Sequence, residues 1–312
     1  MDQVTHTPAP CLPADAPPAD AALRWVEECL GKGSEVRSVR PLPGGTAHAN
    51  HALVVRSRSG SEHRLVLRRW TNRDPGTGRG YNATAFSPER EIAALALLAG
   101  CEIPTPALVA ADPAGAHCDV PALLITRLDG HPPRPSPDDL PEYLIQLAAA
   151  LLPLHSLSGA SSMPPYVPHN RLDVRLPPRN ALQPELWERA HEVAARPAPE
   201  APSRFIHRDY HADNTLWSYG RLTGVVDWSD ASSGPVAVDV AHMRRGLALR
   251  YGPAIADCFL SNVDQVSGGY PHDPYWDVRA LLDLLPEDEG RVLDVAEVAL
   301  CEDYLAKLLA DC

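Results

Sequence analysis

Between Phe205 and Met243 the chain reads FIHRDYHADNTLWSYGRLTGVVDWSDASSGPVAVDVAHM, and this stretch limits the possible folds more than any other. Two short apolar runs, residues 215–217 and 222–226, flank Ser218-Tyr219-Gly220-Arg221, which predicts a β-hairpin. Folding about Tyr219 and Gly220 brings position 214 roughly opposite position 225, so Asn214 and Asp227 meet at the open end. An amide oxygen and a carboxylate held there are hard ligands suited to Mg²⁺, which also keeps waters and phosphate oxygens. Asp209 lies five residues upstream of Asn214, on the loop entering the hairpin, and faces the same corner.

The rest of the chain supplies a frame for that corner. Residues 1–18 are rich in proline and alanine and read as a disordered leader. Asp20 reads as an N-cap, followed by a helical stripe of Leu23, Val26 and Leu30 that Gly31 ends. Residues 36–42, 52–58 and 64–70 read as strands, and the apolar Leu65-Val66-Leu67 suits a strand covered on both faces. Residues 71–87 read as a polar, glycine-bearing mobile loop, and 88–99 as a helix with proline at its start and Gly100 at its end. Residues 122–127 are a further apolar strand, and the proline-rich stretch that follows marks a boundary. A helix around 143–157, proline-rich wrapping segments at 164–184 and 197–202, and several helices over 236–312 complete the reading. Strands first and helices later predict an α+β protein: a leader over 1–18, a strand-bearing lobe over 19–127 and a helical lobe over 128–312.

Composition removes several function classes. A net charge of −12 does not suit a nucleic-acid partner, because phosphate backbones attract basic surfaces. No apolar stretch is long enough to span a bilayer, no export signal is visible, and seven scattered cysteines suit a reducing cytoplasm. Residues 251–312 hold thirteen acids against Arg279, Arg291 and Lys307. That surplus reads as a solvated helical face, or as a patch that attracts a cationic substrate. The oligomeric state is not written in the sequence.

Phosphoryl transfer needs one carboxylate to orient and deprotonate an attacking hydroxyl, and two groups to hold the metal that neutralises the phosphates. The order His207-Arg208-Asp209, then Asn214, then the strand-ending Asp227-Trp228 resembles the catalytic loop and metal-binding aspartate of kinases. With Asp-Trp in place of Asp-Phe-Gly, and Gly234-Pro235 and Asp239 following, it resembles the aminoglycoside-phosphotransferase and choline-kinase superfamily. The resemblance covers roughly residues 36–245. It implies a two-lobed protein-kinase-like fold, with a small antiparallel-sheet N-lobe, a larger helical C-lobe and ATP with Mg²⁺ between them. Asp209 is then the catalytic base, and Asn214 and Asp227 are the metal ligands.

By the same resemblance Gly44-Gly45, with Asn50, covers the nucleotide, and the backbone of Thr126-Arg127-Leu128 bonds adenine. Arg68 and Glu91 stand where the family has a phosphate-binding lysine and its carboxylate partner. The chain's only lysines are Lys32 and Lys307, so arginine would bind phosphate through a planar fork. Arg69 competes with Arg68, and Glu89 with Glu91. Arg208 occupies a site that is often glycine in the family. His207 is assigned to shaping the loop, His155 to the core, Asp239 to a structural brace and Asp230 to the surface.

Two other readings stay open. Alternation along one strand would put His207, Asp209, His211 and Asp213 on one side, as a zinc site requires. A nucleotide-binding protein without transferase activity would also fit the missing lysine. P-loop, nucleophile-elbow and H-E-x-x-H motifs are absent. The acceptor implied is a small-molecule hydroxyl compound: a cationic antibiotic such as an aminoglycoside, or choline, homoserine, a sugar or a macrolide.

Overall fold

The computed structural model describes residues 16–43, 48–71, 87–285 and 293–310. Gly44, Gly45 and nearly all of the loop read over 71–87 lie outside the described residues, as does most of the leader. The chain divides into two compact units. The first comprises Met1–Thr77, Ser87–Ala96 and Pro106–Arg127; the second comprises Gly78–Phe86, Leu97–Thr105 and Leu128–Cys312.

The first unit is a five-stranded antiparallel sheet with helices α1 (Asp20–Cys29) and α2 (Pro88–Leu98), the end of α2 passing into the second unit. Its strands are β1 (Glu35–Pro41), β2 (Ala49–Arg56), β3 (Glu62–Arg69), β4 (Leu108–Asp112) and β5 (Ala122–Thr126), in the order β1-β2-β3-β5-β4. Ala22, Trp25 and Val26 of α1 join a core with Leu53, Val55, Leu65, Leu67, Ala122 and Leu124, because these strand residues alternate onto one face. Asp20 is the first helical residue rather than the cap. Ala19 holds the cap position without a side-chain bond, and Asp20 instead places its charge in the first turn, where the helix dipole favours it. The short β4 was not legible because Leu108, Val109, Ala110 and Ala111 show no clear period.

In the second unit, α3 (Leu140–His155) buries Leu144, Leu147, Leu151 and Leu154. The amphipathic α4 (Pro184–Ala194) follows it, turning Leu186, Trp187 and Ala190 inward between the two segments read as wrapping chain. Strand β6 (Ser203–Ile206) pairs antiparallel with β9 (Ser232–Pro235), and β7 (Thr215–Ser218) with β8 (Arg221–Val225). Helices α5 (Ala237–Tyr251), α6 (Pro253–Ser267), α7 (Pro274–Leu282) and α8 (Val295–Ala310) complete the unit. The predicted hairpin forms, with Tyr219 and Gly220 both at positive φ, 48° and 71°, as a tight two-residue turn needs. A register shift between Leu216 and Trp217 sets Thr215 opposite Val225, so Asn214 meets Val226, one residue beyond the expected partner.

The acidic C-terminal region is not simply a solvated face. Asp277, Asp283 and Glu302 are buried. Glu302 Oε1 accepts from the N–H groups of Leu182 and Gln183 and from Trp187 Nε1, at 2.8, 3.1 and 3.0 Å. Asp277 takes Arg244 Nε at 3.0 Å and His272 Nε2 at 2.6 Å. Part of the surplus therefore braces the helices from inside. Among the described residues, no helix is long and apolar enough to cross a membrane.

Gly130 has φ +124°, and a Cβ there would lie 2.5 Å from Thr223 Oγ1 and 3.0 Å from the backbone of Trp217 on the hairpin. Gly130→Ala is expected to destabilise the protein by about 2 kcal/mol through overpacking and strain. Urea unfolding followed by tryptophan fluorescence measures it, and a change below about 0.5 kcal/mol would contradict this packing.

Candidate active site

Strand β6 ends at Ile206, and the chain then leaves extended geometry, with Arg208 at φ +71°. The turn is held by Asp239 in the first turn of α5. Its Oδ2 accepts the His207 N–H at 2.9 Å, its Oδ1 accepts the Arg208 N–H at 2.7 Å, and His155 Nε2 bonds Oδ2 at 2.9 Å. Burial opposes a charge on Asp239, but the His155 bond and the nearby histidines and backbone N–H outweigh it and hold the carboxyl below its ordinary range. His207 Nε2 donates to the Val226 carbonyl at 2.9 Å, tying the loop to the end of β8, while its ring packs on Trp228.

The turn delivers Asp209. Its Oδ2 faces His211 Nε2 at 3.3 Å and takes a 3.3 Å bond from Asn214 Nδ2, which also donates to the Asp209 carbonyl at 3.0 Å. His211 Nδ1 accepts the Asp213 N–H at 3.3 Å, which leaves Nε2 as the donor toward Asp209. Its Oδ1 faces His242 Nδ1 at 3.7 Å. Partial burial works against ionisation, yet His211 and His242 together hold the carboxyl well below the usual range, so Asp209 is an anion at neutral pH. Sharing its proton with Asp209 raises His211 in spite of burial.

Asn214 closes a short 3-10 turn, Ala212–Asn214, and its carbonyl accepts the Val226 N–H at 2.9 Å. Because Nδ2 points to Asp209, Oδ1 is turned away from it. One residue past Val226, Asp227 has φ +65°, and its Oδ1 accepts from Ser229 Oγ at 2.9 Å. Asp209, Asn214 and Asp227 thus share one corner of the second unit.

Two readings are corrected. His207, Asp209, His211 and Asp213 do not alternate along a strand; the turn at Arg208 and the 3-10 segment send them different ways. Among the described residues no group of three or more His, Cys, Asp or Glu is placed to hold a metal. Asp230 is not at the surface: it is buried and pairs with Arg208 Nη1 at 3.0 Å. Arg208 also reaches the Val167 carbonyl, and its own burial requires such partners.

In the first unit Arg68 is buried, with Nε 3.1 Å from Glu91 Oε2 and Nη2 3.0 Å from His48 Nδ1. Arg69 is held instead by Asp119 at 2.6 Å and by the Ala16 carbonyl, while Glu89 is exposed. Geometry therefore couples Arg68 with Glu91 rather than with their rivals. Thr126 ends β5, exchanging bonds with Ala107 through its N–H and Oγ1 at 2.9 and 2.8 Å. In the second unit Leu128 packs on Gly224, where a Cβ would come within 2.4 Å of Leu128 Cδ1. His242 and Asp283 were missed as site neighbours. The available signal was a histidine one helical turn beyond Asp239, on the same face of α5.

The pattern that defines the phosphotransferase enzyme family matches residues 38–282. The chain belongs to that family. It is a phosphotransferase with an alcohol group as acceptor. Solved structures share the fold at low identity. A macrolide 2′-phosphotransferase from Brachybacterium faecium is 18% identical, with 85% of this chain and 88% of that one covered and a TM-score of 0.56. An aminoglycoside phosphotransferase, APH(4)-Ia, in a ternary complex with ADP and hygromycin B is 16% identical, with 91% and 97% covered and a TM-score of 0.61. A streptomycin–ATP ternary complex of APH(2″)-IIa is also 16% identical, with 85% and 86% covered and a TM-score of 0.51. No curated protein sequence matches the chain significantly.

Position 208 of this phosphotransferase carries arginine in left-handed backbone, a conformation glycine adopts without strain. Arg208→Ala keeps the strain and loses the bonds to Asp230 and the Val167 carbonyl, whereas Arg208→Gly loses the same bonds but relieves the strain. The glycine variant is expected to be more stable than the alanine variant by about 1 kcal/mol in denaturant melts. Asp239 makes a pH prediction. A carboxyl depressed by folding stabilises the protein above its unfolded value, near 3.9, and loses that contribution as pH falls through the folded value. Asp239→Asn is expected to cost about 2 kcal/mol at pH 7 and to flatten the loss of stability below about pH 4. An unchanged acid slope in the variant would show that Asp239 is not the acid-labile brace.

Proposed function

We propose that this phosphotransferase moves the γ-phosphoryl group of ATP to a hydroxyl of a small organic acceptor, with Asp209 as general base. One observation carries the reading. Asp209 is an anionic carboxylate, 35% exposed, braced by His211 and Asn214, and two hard oxygen ligands, Asn214 and Asp227, stand in the same corner. The acceptor oxygen attacks phosphorus, the bond from phosphorus to the ADP oxygen breaks, and the hydroxyl proton passes to Asp209. A carboxylate this acidic takes the proton late, so orienting the hydroxyl is its first task.

Asn214 and Asp227 would hold Mg²⁺. The donors fit a hard cation: an amide oxygen turned away from Asp209 and a carboxylate oriented by Ser229, with the His207 Nε2 committed to Val226. When bound, the ion supplies neutralisation of phosphate charge. Arg68, fixed by Glu91 and His48, offers a guanidinium for phosphate in place of the family's lysine. Gly44-Gly45 over the nucleotide, and the backbone of Thr126 and Leu128 on adenine, are carried as parts of the same proposal.

For the acceptor, an aminoglycoside-type antibiotic is the first choice. Solved relatives hold hygromycin B and streptomycin, and another is a macrolide phosphotransferase. A metabolic alcohol such as choline, homoserine or a sugar is the rival. The inward-turned acids Asp277, Asp283 and Glu302 take away part of the charge argument for a polycation.

ADP release from Mg·ATP across a panel of aminoglycosides, macrolides, choline, homoserine and sugars tests the proposal. Acceptor-dependent turnover is expected, with Asp209→Asn lowering kcat by about 10²–10⁴-fold and chelation of Mg²⁺ abolishing activity. Undiminished turnover in Asp209→Asn would remove the base assignment. Absence of nucleotide binding would remove the ATP reading altogether.

A further inference from the structure

Helix α5 brings a second polar side chain to the loop. His242, one turn beyond Asp239, is buried, with Nδ1 3.7 Å from Asp209 Oδ1 and Nε2 3.8 Å from Asp283 Oδ2. His242 Nδ1, His242 Nε2 and Asp283 Oδ2 are all buried, and none has a hydrogen-bond partner among the described residues. A native interior seldom leaves such groups unpaired, since each costs about 1–3 kcal/mol. Here the orphaned Nε2 faces the orphaned Asp283 Oδ2, and Nδ1 faces Asp209 Oδ1. A shortening of roughly 0.8 Å at each gap would bring both to hydrogen-bond length and, with an N–H on each ring nitrogen, complete a carboxylate–imidazole–carboxylate chain in which His242 donates to both acids. Catalytic hydrogen bonds are commonly long before substrate binds and tighten in the loaded complex.

The far end of the chain is anchored. Asp283, just past α7, accepts the Asn170 N–H on Oδ1 at 2.9 Å, and Asn170 Nδ2 in turn bonds the Leu282 carbonyl at 3.2 Å. Burial opposes its charge, but His242, His169 and the Asn170 N–H outweigh it and keep Asp283 ionised. At the near end, Asp209 Oδ2 is already engaged by His211 and Asn214, which leaves Oδ1, the oxygen facing His242, to meet the acceptor. Arg245, also on α5, lies close enough to interact with both Asp209 and Asp283.

We propose that His242 is a positioning residue for the base: seated between Asp209 and Asp283, it orients the Oδ1 edge of Asp209 toward the acceptor hydroxyl, and Asp283 fixes the ring. The inference rests on the reading of Asp209 as general base and adds a residue that neither the H-x-D-x-x-x-x-N pattern nor the metal corner contains. It sets His242 apart from a histidine that merely fills the core.

The test compares His242→Leu, His242→Asn and Asp283→Asn with the parent protein, using the acceptor that the panel identifies. Leucine fills the space without a polar atom; asparagine keeps a donor toward Asp209 but cannot reach Asp283. His242→Leu is expected to lower kcat by about 10²-fold, with the KM for ATP within about twofold, and His242→Asn to recover roughly tenfold. Asp283→Asn is expected to lower kcat by about tenfold with the same split. Thermal midpoints and ATP Kd separate this from damage to the fold. A kcat unchanged in His242→Leu, or one that falls only in step with stability and ATP affinity, overturns the proposal. ¹⁵N spectra of the histidine rings give a readout that needs no acceptor. Asp209→Asn and Asp283→Asn are each expected to shift the His242 ring nitrogens. A ring blind to Asp209→Asn overturns the positioning role even if phosphoryl transfer is never observed, so the two readings fail separately.

Discussion

Asp239 accepts backbone N–H bonds from His207 and Arg208 and a side-chain bond from His155. That carboxylate takes up both backbone N–H groups of the turn after β6. Arg208 in particular is a poor choice for left-handed backbone. The turn delivers Asp209 to His211 and Asn214, and the same segment runs on into the hairpin whose far strand leads to Asp227. A buried carboxylate tolerates its desolvation only when its oxygens are bonded, and here the bonds that satisfy it are the ones that shape the loop. The brace and the corner it serves therefore form one structure.

The same logic explains where the charges went. Arg208 needs Asp230; Arg244 needs Asp277; the helical end at Leu182–Trp187 needs Glu302. Each is a buried ion pair or a carboxylate with several donors, strongly destabilising to break though not an efficient source of net stability. Such groups define which helix packs where. The surplus of acids in the last fifth of the chain is thus partly an internal framework, and net charge alone says little about the surface an acceptor meets.

Much of the architecture could be read from the residues. Helices α2 and α3 follow from apolar spacing and proline starts, and the β7–β8 hairpin from two apolar runs around Tyr219-Gly220. These are local patterns with local causes. Strand β4 and helix α4 were not read, since one lacks a clear period and the other is a short stretch between two proline-rich segments. Asp230 shows the limit of residue type: an aspartate in a polar stretch reads as surface, and only the opposing Arg208 makes it a buried partner. The choice of Arg68 over Arg69 had the same limit, because adjacent strand residues point to opposite faces and only packing says which face holds Glu91.

The sequence by itself determined which groups share the corner: one aspartate at the mouth of a hairpin, with an amide and a second carboxylate spaced to meet at its open end. Chain connectivity keeps those residues within a few positions of one another, so short-range geometry was enough. Tertiary structure alone decided what surrounds them. His242 and Asp283 lie 33 and 74 residues from Asp209 along the chain, and only the packing of α5 against α7 brings them together. Burial, and the pairing that burial compels, belongs to contacts between distant segments, and no local pattern encodes it.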